Sequence, residues 1–234
     1  MFELDHVVYF TKKSPEEVAA DELISGIHPV VGGQHLQWGT HNALFYTKSS
    51  YIEWLSVENE TKAKESHHPL IEQLLFDVDG REGFASICLR SENLEKMNRY
   101  FKKMGYKTSG VLPSERKTAS GEIRRWKMLF IDQKVGNALP YPFFIEWAQG
   151  MEERLETLRE DGTLKPDNEE LAIKKCIFHV HDVEQKLTQW ARLLSLPTKD
   201  HTLRLDNAIF EFVESADEKE RLHTIEVVKA WTIE

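Results

Sequence analysis

No apolar run in this 234-residue chain approaches the roughly 20 residues that a membrane-spanning helix requires, so a helical membrane protein is excluded. Cysteine is scarce. Cys88 and Cys176 both lie in apolar, strand-like stretches and are expected to be reduced core residues rather than a disulfide or a nucleophile. Basic charge is outweighed: 30 Lys and Arg face 39 Asp and Glu, a formal net charge of −9, which argues against nonspecific binding to nucleic acid or an anionic membrane. Glycine-rich phosphate loops, paired Cys-x-x-Cys, His-Glu-x-x-His and Gly-x-Ser-x-Gly are all missing. The opening Met1-Phe2-Glu3-Leu4-Asp5 is acidic where a secretion signal is basic. A cytoplasmic protein with small-molecule or protein partners is the expectation, and 41% hydrophobic residues suffice for a core.

What the chain does have is repetition. Tyr51-Ile52-Glu53-Trp54-Leu55 and Phe143-Phe144-Ile145-Glu146-Trp147 place a carboxylate in the same kind of apolar strand, with Ile-Glu-Trp common to both. An ionised carboxylate in such a strand costs several kcal/mol, roughly, unless a cation or hydrogen-bond donors meet it. Upstream of the first block, strand Leu4 to Phe10 is followed by a Ser14-Pro15-Glu16-Glu17 helix start and an amphipathic stretch through Leu23. Upstream of the second, strand Phe84 to Arg90 precedes a helix with Leu94, Met97 and Phe101 on one face. A third copy runs through Cys176 to Val180, a helix from Asp182 with Val183, Leu187, Trp190 and Leu194 inward, Ala208 to Val213, and Thr224 to Val228. Aligned on His6, Ser86 and Cys176, the opening strands lie 80 and 90 residues apart; Glu53, Glu146 and Glu226 lie 93 and 80 apart.

Two polar segments separate the copies. Asn59 to Gly83 runs through His67-His68-Pro69 into a short helix with Leu70, Ile71, Leu74 and Leu75, and reads as a linker that packs; it offers no ligand spacing for a metal. Gly150 to Lys175 is charge-rich, a helix or loop followed by a turn, and the charges of both segments are expected on solvated faces.

Side chains alternate along a strand, so Leu4, His6, Val8 and Phe10 share a face, as do Tyr51, Glu53 and Leu55, and Phe144, Glu146 and Ala148. These faces are expected to converge on a polar pocket, with Trp54 and Trp147 pointing away as core. His6 beside Asp5 is alternatively a hydrogen-bonded core histidine. Gly32-Gly33-Gln34-His35 and Gly39-Thr40-His41-Asn42 bracket a short strand; His35 and His41 are candidates for a general base or an alternative ligand, and Asn42 for substrate binding. Arg125, beside the Ser120-Gly121 turn, is a candidate for a substrate carboxylate, or else an exposed strand end. His179 and His181 share one face of the third opening strand, a possible ligand pair without an acidic partner nearby in sequence, and Glu211 and Glu226 read as the wet face of a half-buried sheet.

The strand-helix-strand-strand-strand units opening with Leu4-Asp5-His6-Val7-Val8 and closing with Tyr51-Ile52-Glu53 resemble the vicinal-oxygen-chelate superfamily. Gly32-Gly33-Gln34-His35, Trp38-Gly39-Thr40-His41-Asn42-Ala43-Leu44 and Pro142 to Trp147 are similar to its glyoxalase-like domain proteins. The resemblance implies an α+β fold of tandem βαβββ modules forming a curved half-barrel sheet. It divides the chain into residues 1–149, with two paired modules at about 2–58 and 83–149, and a third βαβββ-like module at 172–234. It implies a divalent metal (Zn, Mn, Ni, Co or Fe) held by residues of the first and last strands of the paired modules: His6, Glu53 and Glu146, with Ser86, a poor ligand, at the fourth position. The reaction expected is that of a metal-dependent lyase or isomerase acting on a small vicinal-oxygen compound, Glu53 or Glu146 moving the proton. The alternative is a non-catalytic binding protein with a degenerate metal site. An odd module is expected to cover Phe178, Ile209, Phe212 and Val227 by pairing with a second copy, giving a homodimer.

Overall fold

The computed structural model describes residues 2–21, 29–118 and 120–230. β1 (Glu3–Phe10), α1 (Pro15–Ala20), β2 (Val30–His35), β3 (Thr40–Tyr46) and β4 (Tyr51–Val57) form the first unit. A linker of α2 (Glu60–Glu65) and α3 (Pro69–Val78) leads to β5 (Gly83–Arg90), α4 (Leu94–Lys103), β6 (Thr108–Thr118), β7 (Ile123–Ile131) and β8 (Phe143–Trp147). After α5 (Met151–Glu160) and α6 (Pro166–Glu169) come β9 (Leu171–Val180), α7 (Val183–Leu194), β10 (Thr198–Lys199), β11 (Thr202–Arg204), β12 (Ile209–Glu214) and β13 (Arg221–Lys229). Leu23, assigned above to the first amphipathic stretch, lies outside the described residues, as does the end of the last unit at 231–234. Among the described residues no helix is long and apolar enough to cross a membrane.

The helix of each unit's strand-helix pair, α1, α4 and α7, starts where its sequence signal lies. Ser14 accepts a hydrogen bond from the backbone N–H of Glu17, and the Glu17 carboxylate receives the N–H of Ser14, a reciprocal cap with Pro15 in the first turn. Asn93 caps α4 through Lys96 N–H, and Asp182 caps α7 through Gln185 N–H. Leu94 and Phe101, and Leu187, Trp190 and Leu194, are buried as their spacing requires.

The fold is α+β, with two sheets. Eight strands close into a barrel in the order β1-β4-β3-β2-β6-β7-β8-β5, so the expected open half-barrel is completed into a ring. β1 runs parallel to β4 and antiparallel to β5, which runs parallel to β8. The opening strands of both units therefore sit side by side at the centre. Closure rests on a short seam between β2 and β6, where Gly33 faces Thr118 and Gln34 faces Lys117. Gly33 has φ +141°, and a Cβ there would stand 2.0 Å from the Lys117 carbonyl oxygen. Gly33→Ala is expected to lower stability by about 1–3 kcal/mol, by strain and by opening this seam. Urea denaturation checks this, and an unchanged midpoint would show that the seam is dispensable.

The linker helix fills the ring. Leu70, Ile71 and Leu74 of α3 pack in one cluster with Val8, Phe10, Leu55, Met128, Phe130, Phe143 and Ile145 from the inner face of the strands. A clasp fixes the end of this helix, and its Asp77, expected on a solvated face, is buried. The Asp77 carboxylate accepts from Arg221 Nε (2.9 Å) and Nη2 (2.8 Å), from Gln73 Nε2 (3.0 Å) and from Lys219 Nζ (3.1 Å). Arg221 also donates to the carbonyls of Gly136, Asn137 and Ala138.

The second sheet has the order β10-β11-β12-β9-β13. Here β12 runs parallel to β9 and β13 antiparallel to it, the relation that β4 and β5 have to β1. The strand bearing Glu211, and not the one bearing Glu226, thus stands where β4 and β8 stand. Both glutamates meet Lys175 at the surface, at 2.8 and 3.6 Å. Phe178 and Phe212, with Phe210, are buried against Trp190 of α7, whereas Ile209 and Val227 stay half-buried, so the chain itself covers two of the four residues for which a second copy is expected.

Candidate functional site

The polar centre of the barrel is built on β1 and β4. A bulge in the β1–β5 pairing, between Leu4 and His6, frees Asp5 from the ladder and lets two adjacent side chains meet. His6 Nδ1 donates to Asp5 Oδ1 at 2.8 Å. Asp5 Oδ2 accepts from Arg90 Nε at 3.1 Å and Trp147 Nε1 at 2.9 Å. Burial opposes the charge of Asp5, but the His6 bond and the Arg90 cation outweigh it and hold this carboxyl below the usual carboxylate range. With Nδ1 committed to Asp5, Nε2 of His6 faces Glu53 Oε2 at 3.5 Å. Tyr51 stacks on the imidazole with ring centroids 4.4 Å apart.

Glu53 passes the polar chain outward. Its Oε1 accepts from Asn42 Nδ2 at 2.5 Å, and Asn42 Oδ1 accepts from Arg116 Nη1 at 3.3 Å. Gly32 makes room for this, since a Cβ there would lie 2.2 Å from Asn42 Oδ1. His35 meets Thr40 Oγ1 at 3.1 Å, and burial, then the Arg116 charge, hold it well below its ordinary value and therefore neutral. Together these residues enclose a cavity of about 30 Å³, bounded on the linker side by Leu70, the size of a water molecule. The Nε of Arg116 is buried without a hydrogen-bond partner among the described residues, as are both ring nitrogens of His68. Burial alone pushes His68 down to about 3; its ring lies against Trp38 and Phe130. Next to the cavity is an open cleft of about 760 Å³, and Trp38, Trp126 and Trp147 form walls of both.

The structure brings His6, Glu53, His35 and Asn42 to one cavity and leaves the other candidates elsewhere. His41 alternates onto the opposite face of β3 from Asn42. Arg125 lines the cleft and is paired with Glu115. Glu146 does not approach His6: its Oε2 accepts the N–H of Leu94 at the start of α4 (2.7 Å), and its Oε1 accepts from Lys127 (2.8 Å). Burial works against its charge, but the Lys127 and Leu94 bonds keep its pKa below the ordinary value. The cause is register. Val7 faces Ile87 across the β1–β5 seam, so the local twofold axis carries His6 onto Ser86 and Val8 onto Cys88. Val8 pairs with Glu53, and Cys88 pairs with Phe143. The structural counterpart of Glu53 is therefore Phe143. Glu146 lies an odd number of residues further on, which turns it to the outer face. By the same parity Trp147 points inward to Asp5, contrary to its expected place in the outer core. Arg154, expected on a solvated face, is buried 3.8 Å over the Trp147 ring and bonded to Tyr46 Oη at 2.9 Å.

This geometry also tests a metal. The four central positions carry His6, Glu53, Ser86 and Phe143, two good donors where a catalytic site of the zinc type takes three. The ligand atoms of Asp5, His6 and Cys88 lie within 4.8 Å of one another. Yet both Asp5 oxygens are engaged, His6 Nδ1 is turned to Asp5, and burial holds the Cys88 thiol well above its ordinary value. Candidate ligands are present, but the set does not fit a resident divalent ion.

Trp147 as a partner of Asp5, and Arg116 as the cation beside Asn42, were not read from the sequence, where Asp5 entered only as the neighbour of a hydrogen-bonded core histidine. Asp5 alone had a visible signal, its adjacency to His6; Arg116 depends on a strand pairing that no local pattern reports.

One solved structure shares the fold of the whole chain. A hypothetical protein from Staphylococcus aureus superposes with a TM-score of 0.83 at 21% identity, over 100% of this chain and 93% of that one. Methylmalonyl-CoA epimerase from Mycobacterium tuberculosis aligns with 66% of this chain and 91% of its own, at 17% identity and a TM-score of 0.44. A hypothetical protein from Bacillus halodurans aligns with 64% and 96%, at 18% and 0.46. No curated protein matches the sequence. The model of the glyoxalase-like domain matches residues 4–194, a span that takes in the barrel together with β9 and α7, and by that match the chain belongs to the glyoxalase-like domain family.

Proposed function

We propose that this protein binds a small carbonyl compound and moves a proton on it, as an isomerase or lyase of the glyoxalase-like type that works through its own side chains. The observation that carries this reading is the continuous buried chain Asp5, His6, Glu53, Asn42 and Arg116 around one cavity. In it Glu53 is the base. His6, whose Nδ1 is held by Asp5, presents Nε2 to take or return the proton, and Asn42 orients the carboxylate. The free Nε–H of Arg116 supplies a donor for an oxyanion, the role the superfamily resemblance gave to a metal. The body of the ligand lies in the 760 Å³ cleft, and its carbonyl end passes the tryptophan wall toward Glu53.

A second reading, a binder without turnover, is favoured by the size of the inner cavity and by α3 filling the barrel. Exchange separates the two. Chelator-treated protein is incubated in D2O with small α-hydroxy and α-oxo carbonyl compounds, and loss of the proton α to the carbonyl is followed by NMR. Catalysed wash-out without added metal supports the acid–base reading. Saturable binding with no exchange supports the binder, and exchange only on adding Zn, Mn, Ni, Co or Fe(II) would restore the metal-dependent mechanism.

A further inference from the structure

The second sheet carries a side-chain cluster that the barrel chemistry does not use. Phe178 and Val180 of β9 are buried, so His179 and His181 emerge on the opposite face of the strand. The connection between β12 and β13 folds back over them. Asp217 Oδ2 lies 2.7 Å from His179 Nδ1, and the Asp217 carbonyl oxygen lies 2.7 Å from His181 Nε2. A bulge in β13 between Leu222 and Thr224 falls at His223, whose ring lies parallel to that of His179, with centroids 3.7 Å apart and planes 6° apart. The ligand atoms of His179, Asp217 and His223 all fall within 4.8 Å of one another. This supplies the acidic partner that the His179-Val180-His181 spacing lacked.

We propose that His179, Asp217 and His223 form a surface site for a borderline divalent ion, Zn²⁺, Ni²⁺ or Cu²⁺. Two imidazoles and one carboxylate are the donor set such ions prefer, and solvent can fill the remaining positions. The protonation states suit a cation. Burial and the neighbouring His179 lower His223, and the His179 and Ser215 hydrogen bonds keep Asp217 below the ordinary carboxylate range. Stacked rings hold their lone pairs parallel, so loading requires the exposed His223 to turn out of the stack and the ion to replace the proton shared by His179 Nδ1 and Asp217 Oδ2. Arg81, whose charge also lowers His223, opposes the ion. The ion joins β9, β13 and the loop between β12 and β13, and so fastens the segment that delivers Arg221 to Asp77.

The test is calorimetric titration of tag-free protein with Zn²⁺, Ni²⁺ and Cu²⁺, together with melting curves and the visible spectrum of the Co²⁺ form. One saturable equivalent is expected, with a rise in Tm of roughly 5 °C at saturation. His223→Ala and Asp217→Asn should each weaken binding at least tenfold with an unchanged far-ultraviolet CD spectrum, while Glu53→Gln binds as the parent does. If His223→Ala fails to fold, Asp217→Asn decides alone. The proposal is overturned if no ion binds at about 100 μM, if binding survives both substitutions, or if it disappears with Glu53→Gln.

Discussion

Glu53→Gln should slow α-proton exchange by about 10²–10⁴-fold, the usual contribution of a positioned base, while the protein melts at or slightly above the parent temperature. Both halves follow from the same geometry. The carboxylate is buried with Asn42 Nδ2 on one oxygen and His6 Nε2 facing the other. A glutamine amide reproduces that pattern, its oxygen accepting from Asn42 and its NH₂ donating to the free Nε2 of His6. The substitution thus removes a buried charge without orphaning a neighbour, a change that is often neutral or stabilising. Exchange at the parent rate in this variant would dismiss Glu53 as the base, and a large loss of stability would make the carboxylate a structural element.

Arg221→Leu is expected to cost about 3–5 kcal/mol, because it leaves the Asp77 carboxylate and three backbone carbonyls buried with lost partners. The pH dependence gives an independent reading. Burial raises the pKa of Asp77, but the Arg221 bond and charge outweigh it and leave the folded value below the ordinary one. A depressed carboxylate stabilises the fold fully above its unfolded pKa of about 3.9, and that contribution is lost as pH falls through the folded value. The parent should therefore lose stability below about pH 4 more steeply than the variant does. Asp77→Asn combined with Arg221→Leu should recover part of the loss. Urea midpoints at pH 7 and pH 3.5 check all three expectations, and a single variant within about 1 kcal/mol of the parent at pH 7 would show that the clasp contributes little.

The order of elements was legible because its signals are local: the Ser14, Asn93 and Asp182 caps, the period of Leu187, Trp190 and Leu194, and the apolar strands that open each unit. The first half of the site was legible for the same reason, since alternation alone puts Tyr51, Glu53 and Leu55 on one face. The second half was not. The shared Ile-Glu-Trp suggested that Glu146 matches Glu53, but equivalence in a barrel is set by pairing register, which couples distant strands, and there Phe143 takes the place. A shift of an odd number of residues reverses the face, so one misalignment displaced Glu146 and Trp147 together. Barrel closure was hidden as well, because its seam comprises two residue pairs around one glycine. The linker was recognised as a segment that packs, yet its hydrophobic period could not say on what, and the concave face of the barrel is where it lies.

The helix inside the barrel behaves as a tethered competitor. Any guest larger than the space beside Leu70 must displace side chains of α3, so its apparent affinity is the intrinsic one reduced by the fraction of molecules in which the helix has yielded. Since Asp77 and Arg221 set that fraction from 144 positions apart in sequence, affinity at the centre of one sheet is tuned by the integrity of the other. Variants that loosen the clasp should bind more tightly as they become less stable.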